Sequence, residues 1–279
     1  MSYIESIIFG IIQGLCEFLP ISSSGHLALT HLIMGEGQAA DALAFDILLH
    51  FGTLIAVFVV YFKDILNLIK AFFTLVGKLF SKKFKMSDYT ADERWVIFIL
   101  IATLLMVPAA LFDEGLEVLM SYPIVIGILL MINALILFIS EKIGKMTKGA
   151  DEMSAKNALI IGIVQIFATL PGISRSGSTI TAGLSQDLNR ETAVRFSFIL
   201  SIPAVLGACV LKLPEFFESS LTSSELPVYL VGMAAATLSG ILAIGLVKLI
   251  SKKSTFKYFS VYCLLVGATA VVLGICKVI

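Results

Sequence analysis

The chain has 279 residues, 58% of them apolar and only 14% charged, with a mean hydropathy of +0.99. This excludes an ordinary soluble globular protein and points to a polytopic membrane protein with membrane lipids as neighbours. Its 20 basic and 20 acidic residues cancel, so nothing marks it for a polyanion and nucleic acid is not an expected partner.

The first apolar run has no basic residue before it and contains Glu5 and Glu17, so it reads as part of the mature protein rather than a cleaved signal peptide. That region, residues 4–35, is broken by proline, glycine and serine between Pro20 and Gly25. Neither half, at roughly 12 to 17 residues, reaches the ~20 needed to cross a bilayer core. Six runs are long enough, at 42–62, 95–112, 122–140, 193–211, 227–250 and 258–278. Following the first of them, residues 64–80 carry a polar stripe at Asn67, Lys70, Thr74 and Lys78, the pattern of a helix lying on the membrane surface. A second broken region, 156–186, is interrupted between Pro171 and Gly177. Both broken regions read as re-entrant helix pairs, whose irregular backbone must be buried in protein or line a polar cavity. Cys16, Cys209, Cys263 and Cys276 lie singly in apolar segments; they read as buried packing residues, not as disulfides or zinc ligands.

The two broken regions are copies of one unit. Gly162 minus Gly10, Gln165 minus Gln13, Ser174 minus Ser22 and Gly177 minus Gly25 all give 152, and Ala42, Phe45 and Leu49 continue the match to Ala193, Phe196 and Leu200 at 151. Basic residues collect in three connections (Lys82, Lys83, Lys85 and Arg94; Lys142, Lys145, Lys148 and Lys156; Lys248, Lys252, Lys253 and Lys257), which places these on the cytoplasmic side. The connections between them carry Asp113, Glu114 and Glu117, and Glu215, Glu218 and Glu225. Three spans separate the hairpins, and an odd number of crossings inverts the second copy. The expected fold is an all-α integral membrane protein with an inverted-topology repeat, each unit a re-entrant pair plus three transmembrane helices. It is one membrane domain over 1–279, with repeat one at about 1–150 and repeat two at about 151–279.

Each tip ends one half-helix and begins another, so free N–H groups and positive dipole ends converge there, as in an anion site. Ser22, Ser23 and Ser24 at one tip, and Ser174, Ser176 and Thr179 at the other, add hydroxyl donors suited to phosphate. Arg175, the counterpart of Ser23, adds a fixed charge in fork geometry. Gln13 and Glu17 share one helical face, and a divalent cation bridging Glu17 to a substrate phosphate would offset the cost of burying it. His26 follows Ser23 by three residues, a spacing that sets a general base or acid beside a nucleophile.

These residues carry a resemblance over the whole chain to the BacA/UppP family of undecaprenyl-diphosphate phosphatases, integral membrane enzymes that recycle the lipid carrier of bacterial cell-wall synthesis. The first motif is Gln13 to Glu17 with P-I-S-S-S-G-H after it; the second is P-G-I-S-R-S-G-S-T, from Pro171 to Thr179. The resemblance implies hydrolysis of undecaprenyl diphosphate to undecaprenyl phosphate and inorganic phosphate in the bacterial inner membrane, with a divalent cation (Mg or Ca). By position, Glu17 would serve the metal or water, Ser23 and His26 the displacement, and Arg175 the diphosphate. Ser22 and Ser24, with Ser174, Ser176 and Thr179, would form the phosphate cradle. The family's first acidic position is Gln13 here, so only a neutral metal ligand stands there.

Attack by Ser23 and attack by a cation-activated water both fit. The pocket is expected to open to the outside, because the first hairpin enters from there. A transporter or flippase for a phosphorylated lipid is the rival reading, since inverted repeats with broken helices are a transporter architecture; a nucleophile beside an imidazole favours the enzyme. Asp46 and His50, four apart, read equally as a structural pair or a second polar group of the site. Asn133 and His31 read as packing groups, and the oligomeric state stays open, a homodimer being one reading.

Overall fold

The computed structural model describes residues 1–34, 40–80, 89–108, 115, 118–140, 142–218, 225–253 and 256–278. Lys82, Lys83, Lys85, Asp113, Glu114 and Glu117 lie outside the described residues. The helices with defined ends are α1 (Tyr3–Phe18), α2 (Ser23–Met34), α3 (Ala40–Val60), α4 (Phe62–Phe80), α5 (Ala91–Leu104) and α6 (Pro123–Ser140). They are followed by α7 (Ala155–Phe167), α8 (Arg175–Leu184), α9 (Arg190–Leu211), α10 (Leu213–Glu218), α11 (Leu226–Lys253) and α12 (Lys257–Ile275). Each of the first six has its counterpart six places on, and the chain is an all-helical, multi-pass integral membrane protein.

Local chemistry explains the matching ends. Ser2 opens α1 with a capping box, its hydroxyl accepting from the Glu5 amide while the Glu5 carboxylate accepts from the Ser2 amide at 2.6 Å. Ser154 and Asn157, 152 residues on, open α7 in the same way. Proline and glycine then break both hairpins, because neither tip sequence can continue a helix.

Among the described residues, four helices are long and apolar enough to cross a membrane alone: α6, α9, α11 and α12. The run at 42–62 forms α3, a helix of 21 residues, and α4 follows it at a bend of 88°. That bend turns the amphipathic α4 out of the direction of α3 and against α5, where Lys78 pairs with the buried Glu93 at 2.7 Å. The run at 95–112 yields an α5 of 14 residues, about 21 Å of helix against a core of about 30 Å; residues 109–112 lie outside the described residues. Cys16, Cys209 and Cys263 are buried free thiols as expected, but Cys276 is exposed, because it follows the last turn of α12.

Helices of one copy pack chiefly on the other. The most extensive contacts join α1 to α11 and α6 to α12, and α5 to α7 repeats the α1–α11 contact in the second copy. Small residues permit the close approach: a Cβ on Gly14 of α1 would fall 2.3 Å from the Ala236 carbonyl oxygen of α11. The equivalent helices α6 and α12 run antiparallel, with Ile124 beside Gly274 and the Ala134 carbonyl accepting from Ser260. Antiparallel packing of equivalent elements gives the two copies opposite orientation.

The tips meet where the copies cross. Gly25 lies against Gly172, and Gly177 against Pro20; Gly172 is the counterpart of Pro20, so one contact is the symmetry image of the other. Gly172 has φ +104°, and a Cβ there would stand 2.8 Å from the Leu129 Cβ. Gly172→Ala is therefore expected to cost about 1–3 kcal/mol, read as an earlier thermal melt of the purified protein in detergent. Gly207→Ala, whose Cβ meets nothing within 4 Å, is the control and should melt no earlier than the parent.

Candidate active site

Glu17 lies in the last turn of α1, where the helix dipole disfavours a negative charge, and Arg175 is the first residue of α8, where it disfavours a positive one. Each offsets the other. Arg175 Nη2 donates to Glu17 Oε1 in an ion pair across the two tips. The second carboxylate oxygen, Oε2, accepts from Ser23 Oγ at 2.7 Å and from Gln13 Nε2 at 3.1 Å. Glu17 is buried, whereas Ser23 and Arg175 keep partial exposure. Carboxylate, hydroxyl and guanidinium thus form one cluster drawn from both copies.

The remaining hydroxyls divide into two groups. Ser22, with φ +74°, accepts from the amides of Gly25 and Gly172 and so ties one tip to the other. Ser174 caps α8 by accepting from the Gly177 amide, and its hydroxyl pairs with that of Ser176 at 3.1 Å. Thr179 donates to the Arg175 carbonyl and pairs with Ser197 of α9 at 2.6 Å. All four of Ser22, Ser174, Ser176 and Thr179 are buried; Ser24 is half-buried, with only a 3.4 Å approach to Ser22. The first-turn amides of Ser23, Ser24, Arg175 and Ser176 have no partner among the described residues, as the first turn of a helix leaves them.

His26 is placed differently from the sequence expectation. Its Nδ1 lies 2.8 Å from the Ser22 carbonyl oxygen, which can only accept, so Nδ1 carries the proton. Its Nε2 lies 3.0 Å from the Tyr262 hydroxyl, and the two rings stack with 8° between their planes. Both nitrogens are engaged, and neither with Ser23. The base beside Ser23 is Glu17. On α3, His50 donates to the Asp46 backbone carbonyl at 2.8 Å, while the Asp46 carboxylate lies 3.8 Å from His31. Of the two readings left open for Asp46 and His50, the structure has a hydrogen bond between them through the Asp46 backbone, with the Asp46 carboxylate facing His31 instead.

Asn133, set aside in the sequence as packing, holds both tips. Its amide nitrogen donates to the Pro20 carbonyl at 3.0 Å and its oxygen accepts from the Ser174 amide at 3.0 Å. A lone amide, fully buried in the otherwise apolar α6, was the available signal; Tyr262 gave none.

No group of three or more His, Cys, Asp or Glu side chains is gathered for a metal among the described residues. The oxygens that would hold a hard divalent cation here are those of Glu17 and the buried Gln13 Oε1, which has no hydrogen-bond partner.

The fold and cluster define a helical membrane protein in which a carboxylate, a hydroxyl and a guanidinium are gathered where its two tips cross. The family model described as "Bacitracin resistance protein BacA" matches residues 6–269, and the chain belongs to that family. Among its relatives, "Undecaprenyl-diphosphatase" of Methanosphaera stadtmanae is 38% identical over 99% of each chain. The protein of the same name from Methanobrevibacter smithii is 39% identical over 96% of each. That of Halothermothrix orenii is 35% identical over 98% of this chain and 99% of its own.

Asn133→Leu removes the tip clamp and orphans the buried Pro20 carbonyl and Ser174 amide. The expected cost is about 1–3 kcal/mol for each group, read as an earlier thermal melt; an unchanged melt would show that the clamp contributes nothing.

Proposed function

We propose that this chain hydrolyses undecaprenyl diphosphate, the substrate for which its relatives are named, to undecaprenyl phosphate and inorganic phosphate, recycling the bacterial cell-wall lipid carrier. The observation that carries the reading is the Ser23 hydroxyl donating to the carboxylate that Arg175 also holds.

An incoming diphosphate competes with Glu17 for the guanidinium fork. As Arg175 turns to the phosphate, Glu17 is left with the Ser23 proton as its nearest positive partner. Ser23 Oγ attacks the terminal phosphorus in line and its proton passes to Glu17. The phosphoanhydride bond breaks and the lipid monophosphate leaves. Water then attacks the phosphoserine; the serine oxygen takes back the proton from Glu17, and the released phosphate keeps those of the water. Arg175, Ser24 and the free first-turn amides of both tips hold the phosphate oxygens as charge spreads over them. Ser22, Ser174, Ser176 and Thr179 position the tips, and His26, released from Tyr262, donates to a diphosphate oxygen only after taking up a proton at Nε2.

Glu17 and Arg175 cancel in charge, so a diphosphate brings negative charge that nothing else in the cluster offsets. A divalent cation, Mg or Ca, held by Gln13 Oε1 and Glu17 would supply the missing positive charge. The membrane is the bacterial plasma membrane in this reading, with the basic connections inside and the site opening outward.

Ser23→Ala and Arg175→Ala are expected to lower phosphate release from the prenyl diphosphate at least about 100-fold, assayed with purified protein in detergent, with the Ser23→Ala melt close to the parent's. Labelled phosphate should be trapped on Ser23 in an acid quench, and a chelator should suppress turnover. Near-normal release by either variant would defeat the assignment. Retained binding without release in the parent would favour transport instead.

A further inference from the structure

Away from the tips, a cavity of about 370 Å³ opens where the α3–α4 bend meets the first turns of α9 and the last turns of α11. Its lining includes Tyr61, Asp64, Glu191, Arg195, Lys248 and Lys252, three cations against two carboxylates. Asp64 is already committed to Arg195. The Arg195 guanidinium lies 4.9 Å over the Trp95 ring, and its Nε is buried with no hydrogen-bond partner. Lys248 Nζ lies 3.8 Å over the Tyr61 ring and has no acceptor among the described residues. Tyr61 is 2% exposed and its hydroxyl has no partner, although it sits among the charges of Asp64, Arg195 and Glu191.

A buried polar atom left unpaired costs about 1–3 kcal/mol, and folded proteins rarely leave one so. Here Tyr61, Arg195 and Lys248 bring hydroxyl, guanidinium and ammonium donors into the lining of one cavity, at the positive dipole end of α9. The complementary ligand is a compact anion with several acceptor oxygens. We propose that this cavity binds a phosphate group, the chemistry shared by an anionic lipid headgroup and the free ion. The lipid has a place for its chains: α4 leaves Phe62, Leu66, Ile69 and Phe73 exposed beside the cavity, an apolar shelf of the kind that interfacial helices present to acyl chains. The inference is independent of the chemistry at the tips.

Binding of three probes to the purified full chain separates the sources: dioleoyl phosphatidic acid, dioleoylglycerol with the same chains, and inorganic phosphate. The variants are Tyr61→Phe, which removes one oxygen, and Tyr61→Phe combined with Lys248→Met, each checked for an unchanged thermal melt. Preference for phosphatidic acid over dioleoylglycerol that falls about 10-fold in the double variant, and partway in Tyr61→Phe, supports the site with a lipid as its ligand. Inorganic phosphate that binds the parent and is lost from the variants, with no lipid preference, supports the site with the free ion. If no probe distinguishes the variants from the parent, the proposal is overturned; should the double variant fail to fold, Tyr61→Phe alone decides.

Discussion

A carboxylate buried at the C-terminal end of one broken half-helix is the constraint on which this structure turns. Glu17 faces the negative end of its own helix dipole and little water, so it needs donors from elsewhere. Arg175 faces the mirror problem at the start of α8. Their ion pair joins the two tips and places the Ser23 hydroxyl on the remaining carboxylate oxygen. Breaking such a pair by removing one partner leaves a buried charge uncompensated, at about 3–5 kcal/mol. In the proposed reaction an incoming phosphate takes the place of Glu17 on Arg175, and the carboxylate it displaces must be compensated by the Ser23 proton or a cation.

The scaffold is symmetric and the chemistry is not. Glu17 corresponds to Thr169, Ser23 to Arg175 and His26 to Ser178. Thr169 turns its hydroxyl back to the Ile166 carbonyl at 2.8 Å, and Ser178 is buried. The second tip therefore has no carboxylate at the position of Glu17, and the first tip has no guanidinium at the position of Arg175. Each copy is half of the site, and the crossing of Gly25 with Gly172 and of Gly177 with Pro20 brings the halves together. Asn133 then fixes the separation of the tips by bonding to the backbone of both.

Much of this was legible in the chain. The 152-residue offset foretold the pairing of α1 with α7 and of α2 with α8, because the capping serines, the breaking prolines and the glycines recur with it. That Ser23 and Arg175 face each other's copy followed from the offset; their shared bonds to Glu17 did not, since Glu17 reads in the sequence as a metal or water ligand and His26 as the partner of Ser23. What each hydroxyl does was not legible: Ser22, Ser174, Ser176 and Thr179 look alike in sequence to Ser23 and Ser24, and only burial and backbone partners separate scaffold from reactant. His26 could not be oriented, since its partner Tyr262 lies 236 residues away. The 88° turn between α3 and α4 left no mark beyond a polar stripe, and it shapes the second cavity.

The coupling of Glu17 to Arg175 links the two tips, and a double-mutant cycle in thermal stability measures it directly. Glu17→Gln and Arg175→Gln each strand one buried charge, so each should melt well below the parent. The combined variant strands none and should melt above at least one of the single variants. Additive losses, with the combined variant the least stable of the set, would contradict the ion pair as the link between the tips.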